Sequence, residues 1–242
     1  MRANKVYTEH VVGAGELEHL TIVETILRNR RKFFTEIRQQ IDVPQKIRAM
    51  LVSCFVFLAI YGVVMGASHS VQQAVASFVK LPLLFLATLA ICTPSLHFFN
   101  ILFGSKQTML QTIALILTSI STTAVLLFSL APITFFFLIS SSQYEFFKLL
   151  NVVFFALAGF LGVFFLRQGM QITTETEDER EGIKTRRLIF VLWIILYGFV
   201  GSQMAWTLHP FIGEPDSPFR LFDHWGGNFY SDVLFSLSVL LR

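Results

Sequence analysis

Charge is scarce in this sequence: Asp, Glu, Lys and Arg together make up 14% of 242 residues, well below the usual quarter in a soluble domain. With 54% hydrophobic residues, 27 Phe and a mean hydropathy of +0.62, the chain has too little polar surface to cover itself in water. That excludes an ordinary water-soluble domain and calls for lipid as solvent. Cysteine is equally sparse. Cys54 and Cys92 both lie in apolar runs, where a thiol is a small hydrophobe, so no disulfide framework is expected. Catalytic signatures are missing too: there is no G-x-S-x-G elbow, Walker A loop, H-E-x-x-H or paired C-x-x-C. No enzyme class, catalytic residue, cofactor or metal site is indicated. An apolar core near the start is also lacking. The first 48 residues are polar and carry nine Lys or Arg, so no cleavable signal peptide is expected and the first span doubles as the targeting signal.

What the sequence does contain is long apolar runs. A helix needs about 20 apolar residues to cross the hydrocarbon core. Five stretches without Asp, Glu, Lys or Arg meet that need: 49–67, 81–99, 109–130, 149–166 and 188–206. The third is ended near Leu130 because Pro132 removes a backbone donor, leaving Ile133 to Ser140 as an interfacial extension or a re-entrant segment within 131–145. The expected fold is an all-α integral membrane protein. A basic amphipathic segment (1–48) precedes a five-span bundle (49–206), and an aromatic tail (207–242) follows it.

Net charge is only +3, but the cations are unevenly placed. With the amino-terminus inside, 15 of the 19 Lys and Arg fall on the inner side; the others are Lys80, Lys148, Arg220 and Arg242. This bias predicts a multi-pass protein of the cell membrane with a cytoplasmic amino-terminus and an outer carboxy-terminus. It also explains the pI near 9.0 without nucleic acid, for which there is no motif.

Between Glu16 and Ile41, apolar residues recur at near-helical spacing among Arg28, Arg30, Arg31, Lys32 and Arg38. Such a helix lies at the cytoplasmic interface, its cations on anionic headgroups and Phe33 and Phe34 inserted, or it packs on its own bundle. Phe33 to Ile47 resembles the actin-binding WH2 motif, an amphipathic helix followed by an extended basic strand. It departs at Val43-Pro-Gln-Lys, which lacks the L-K-K character and runs straight into a span, so the likeness is accidental. The layout of clustered spans after a polar amino-terminus resembles the Yip-like membrane proteins, on hydropathy alone.

Among ionisable residues only His97 falls inside a span, and such groups are costly to bury. With Asn100 and Gln111 it forms a candidate polar pocket at the inner leaflet, or a set of helix–helix hydrogen bonds. Small residues four apart (Gly62 with Gly66, Ala158 with Gly162, Gly198 with Ser202) let helix backbones approach, as do the Ser and Thr residues of the third span. After the fifth span, Trp206 and Trp225 are candidate membrane or partner contacts among turn-forming Pro and Gly residues. Two roles fit: a non-enzymatic membrane subunit or scaffold that binds other membrane proteins or its own copies, or a transporter, channel or lipid-moving protein. The charge-free spans argue against ion or proton coupling and put the scaffold first.

Overall fold

The computed structural model describes residues 22–102, 106–140, 143–174, 183–213, 217–222 and 227–241. Trp225, residues 16–21 of the amphipathic segment and residues 175–182 of the acidic loop lie outside the described residues. Those described are helical or irregular, without a strand. Residues 22–28 are helical. The helices that follow are α1 (Arg30–Arg38), α2 (Val43–Gly66), α3 (Val71–Leu102), α4 (Met109–Ser140), α5 (Tyr144–Thr174), α6 (Ile183–Thr207) and α7 (Phe229–Leu240). Helices α2 to α6 are long and apolar enough to cross a membrane; α7, with 12 residues, is not.

All five are longer than their charge-free windows. At 1.5 Å per residue, the 32 residues of α3 and of α4 extend about 48 Å, against about 30 Å of hydrocarbon. The surplus turns carry Gln73, Lys80, Glu145 and Lys148 beyond the apolar windows. Helix α4 also runs unbroken through Pro132, which corrects the expected stop near Leu130 and the re-entrant alternative. A proline inside a helix removes one i→i−4 bond, whereas leaving the helix in lipid would expose every backbone group that follows. Thr134, one turn on, donates its hydroxyl proton toward the Leu130 carbonyl (3.2 Å), and Ala131 and Thr134 are buried.

The spans form an open series. Helix α2 packs on α3 and α4, α4 on α5, and α6 along the far side of α3. Consecutive α5 and α6 build no extensive interface, and α7 touches both at the tail end of the bundle. The small-residue pairs explain two of these contacts. A Cβ on Gly62 would lie 2.3 Å from the Ser77 carbonyl oxygen, and one on Gly66 would lie 2.4 Å from that of Gln73. The α2 and α3 backbones therefore meet directly. Gly162 faces Thr123 and Ser119 of α4, and Thr123 Oγ1 donates to the Ala158 carbonyl at 3.3 Å. Much of the Ser/Thr run of α4 is thus packing surface: Thr118 and Thr122 bond back one turn, and Ser121 Oγ lies 3.1 Å from Cys54 Sγ on α2. Gly198 differs. Its Cβ would meet nothing within 4 Å, and Ser202 bonds Tyr230 of α7 at 2.9 Å, so this pair does not join two spans closely.

The basic amphipathic segment folds against the bundle. Phe33, Phe34 and Ile37 are each 0% exposed, and Phe34 fills the space over Gly169 of α5 beside Leu115. These phenylalanines are therefore inside the protein rather than inserted in lipid, while Arg28, Arg30, Arg31, Lys32 and Arg38 face outward. Residues 39–42 reverse the chain, with Gln40 and Asp42 at positive φ, and Pro44 then sits in the first turn of α2. Proline is favoured there because its nitrogen has no helical partner to lose. The stretch that loosely matches a WH2 strand is therefore helical.

Candidate functional site

At the amino-terminal end of the bundle, the residues read as a polar pocket are spent on separate structural bonds. His97 Nδ1 lies 3.2 Å from Thr112 Oγ1, and Asn100 Nδ2 donates to Gln107 Oε1 at 3.4 Å. Gln111 does something else. Its Nε2 donates to the carbonyls of Ile37 (3.0 Å) and Arg38 (2.9 Å), the last residues of α1. Its Oε1 accepts from the Thr108 backbone N–H at 2.9 Å. Helix C-termini leave four carbonyls without intrahelical partners, so one amide side chain both caps α1 and seats it on α4.

The more developed site is at the other end. A cavity of about 730 Å³ occupies the gap that α5 and α6 leave between them. Its deeper walls are apolar, including Leu84 and Phe85 of α3 and Val152 and Phe155 of α5. Phe85 stacks on Phe155 at 6.3 Å between centroids, and Tyr61 meets Phe155 edge-on at 5.7 Å. Behind them, Tyr61 donates its hydroxyl proton to Asn151 Oδ1 (2.8 Å) and its oxygen lies 3.3 Å from Thr134 Oγ1, which bonds back to Leu130, so the hydroxyls and amide buried there are paired.

The tail roofs this cavity, and one face of α3 holds the tail. Gln73, Ser77 and Lys80 are spaced i, i+4, i+7 and buried. Gln73 Nε2 donates to the Pro210 carbonyl (2.6 Å) and Ser77 Oγ to that of Phe211 (2.7 Å). Lys80 Nζ donates to Pro210 (3.2 Å) and Leu221. The tail there is irregular and cannot satisfy its own carbonyls, so buried side-chain donors do it. Lys80 also sits 4.9 Å over the Phe222 ring. His69, in the α2–α3 turn, packs against Gly213 and bonds the Ser217 carbonyl at 3.0 Å.

Helix α7 closes the remaining side. Asn228 caps it with a reciprocal Ser231 bond, and Asp232 in its first turn lies 2.7 Å from Lys148 Nζ on α5. Trp206 is half-buried and stacked on His209 at 4.2 Å, lining the cavity.

Lys80, Lys148 and Asp232 were legible only as charges outside the spans. Trp206 and the turn-forming residues after the fifth span pointed to this end, and Asn151, a polar residue in an otherwise apolar window, is a further local signal. Comparisons with protein-family models, curated proteins and solved structures give no match. The class is thus an all-helical chain with five helices of membrane-spanning length and a roofed cavity at one end.

Proposed function

We propose that this chain is a multi-pass protein of the cell membrane, amino-terminus cytoplasmic and tail outside, that binds one amphiphilic molecule in the cavity under its tail. The observation that carries this reading is the gap between α5 and α6. Its size falls in the range of small-molecule sites, its walls are apolar, and its charged groups gather at the tail end. An apolar chain suits the walls and a polar head suits the rim. This favours a binding or lipid-moving role over catalysis, and over a pathway for ions, which would need charged or polar groups along the spans.

The test is to purify the full chain in mild detergent and identify bound lipid by mass spectrometry, alongside Gly198→Phe. Gly198 lines the cavity, and a side chain there meets open space, so the variant fills the site without displacing backbone. Wild type is expected to retain lipid at about one per chain and Gly198→Phe to lose most of it. No retained lipid in wild type, or equal retention in the variant, overturns the reading.

A scaffold role is favoured by a different feature: α6 is the span least covered by its own chain, with Leu188, Leu192, Ile195 and Phe199 all more than half exposed. Such a face accepts lipid or another apolar helix, including one from a second copy. A stoichiometric second membrane chain co-purifying with the wild type would support it.

A further inference from the structure

We propose that the molecule bound under the tail carries a neutral hydrogen-bond acceptor oxygen within its apolar part, held by the hydroxyl of Tyr197; this rests on the amphiphile reading above. Polar side chains near the cavity floor find partners within the protein. Tyr61 donates to Asn151 Oδ1, Asn151 Nδ2 donates to the Phe147 carbonyl at 2.8 Å, and Thr88 Oγ1 donates to the Leu84 carbonyl at 2.8 Å. Trp193, one turn before Tyr197 on α6, directs its indole N–H at the Cys92 carbonyl (3.2 Å) and Ser95 Oγ (3.1 Å). Tyr197 differs. Its ring packs on Trp193 at 5.2 Å between centroids, but among the described residues its hydroxyl has no hydrogen-bond partner.

Where that hydroxyl points decides what it can do. Tyr197 lines the cavity, and the buried thiols of Cys92 and Cys54 are the titratable groups close enough to act on it, so it faces inward and not toward the surrounding lipid. Among the described residues, the unpaired polar side-chain atoms sealed from a water molecule are Glu145 Oε2 and Gln168 Oε1; the Tyr197 hydroxyl is not one of them. It therefore keeps surface that a small molecule reaches, and the space that Tyr197 lines is this cavity. A phenol in apolar surroundings forgoes a hydrogen bond until a partner arrives, and a methylene chain offers none. A carbonyl, ether or hydroxyl oxygen does. A carboxylate is excluded, because no Lys or Arg lies in the charge-free windows to offset its desolvation. Tyr197 precedes Trp206 by nine residues, about 14 Å along α6, and both line the cavity. With the polar head at the rim, the acceptor thus falls well along the chain, between the walls formed by Leu84, Phe85 and Phe155.

Native mass spectrometry of the full chain in mild detergent tests this with monoacylglycerols of octadecanoic acid and of its positional keto isomers, which share head and length. One net hydrogen bond predicts that an isomer with its ketone near the middle of the chain is retained about three- to tenfold above the plain chain. Isomers with the ketone close to the head or the end are expected near parity with it. Tyr197→Phe removes the hydroxyl and keeps the ring, so it is expected to abolish the preference while retaining the plain chain as the wild type does. Equal retention of plain and keto chains by the wild type overturns the acceptor assignment and leaves amphiphile binding standing. An undiminished preference in Tyr197→Phe overturns the role of Tyr197, as does equal loss of plain and keto chains, which would assign the residue to packing alone. Retention of no chain by the wild type overturns the underlying reading instead.

Discussion

Glycine spacing is where single residues decide most in this bundle. Gly66 and Gly198 each belong to a small-xxx-small pair, yet only the first is closed against backbone. Gly66→Leu must push α3 off α2, because the nearest atoms are main-chain atoms of residues 73 and 74 that cannot rotate away. Overpacking of that kind is expected to destabilise by about 1–3 kcal/mol, read by chemical unfolding in detergent. Gly198→Ala, with nothing within 4 Å, is expected to change stability by less than about 0.5 kcal/mol. If the two variants proved equally stable, direct contact between α2 and α3 would be wrong.

At the scale of elements, α1 shows how an amphipathic helix is claimed by its own bundle. Its apolar face is fully covered by α4 and α5, and its final carbonyls are held by Gln111. Electrostatic attraction to headgroups is therefore not needed to keep it in place, although its outward cations still face the surroundings. Gln111→Leu removes both bonds; the Ile37 carbonyl keeps the Gln40 N–H at 3.1 Å, whereas the Arg38 carbonyl loses its donor, a loss of about 1–3 kcal/mol. Hydrogen exchange across 30–38 is expected to rise by tenfold or more while exchange in α2 stays unchanged. Rapid release of α1 from the unmutated chain at high salt would show instead that charge holds it. The WH2-like and lipid-inserting readings both treated this segment as independent. What they could not include is Gly169, 135 residues beyond Phe34 in sequence, whose missing side chain makes the socket.

For the whole molecule, the proposed topology lets each of the five membrane-length helices cross once, which puts the segments before and after the bundle on opposite sides. The asymmetry of Lys and Arg is what favours a cytoplasmic amino-terminal side in that proposal. Single cysteines at Ala3 and Ser217, in a background with Cys54 and Cys92 replaced, are expected to react with a membrane-impermeant maleimide from opposite faces of sealed cells or vesicles. Labelling of both from one face would require a different number of crossings. The cavity belongs to this scale as well, because no single helix contains it. It exists because α6 packs on α3 and leaves α5 uncovered at the tail end, with α7 bridging them.

The sequence by itself determined the number of long apolar helices and their approximate places. Charge-free runs of about 20 residues are long and apolar enough to cross a membrane as helices, and that is a local property of composition. It also indicated that Gly62 and Gly66 meet another helix, since small residues at i, i+4 open such a face, but it could not tell that pair from Gly198 and Ser202, whose face no span fills. Only the tertiary structure decided where helices end, which faces are used and where a cavity opens. Pro132 reads as a stop until the surrounding bundle and the cost of unpaired backbone in lipid keep α4 intact. His97, Asn100 and Gln111 share a neighbourhood in sequence but serve different bonds, because each polar group takes the nearest partner that folding supplies. Conversely, Glu145, Lys148 and Asp232 meet although Lys148 and Asp232 stand 84 positions apart, and no periodicity encodes that meeting. Their juxtaposition follows from how α7 docks on α5, a contact between distant segments that local patterns do not carry.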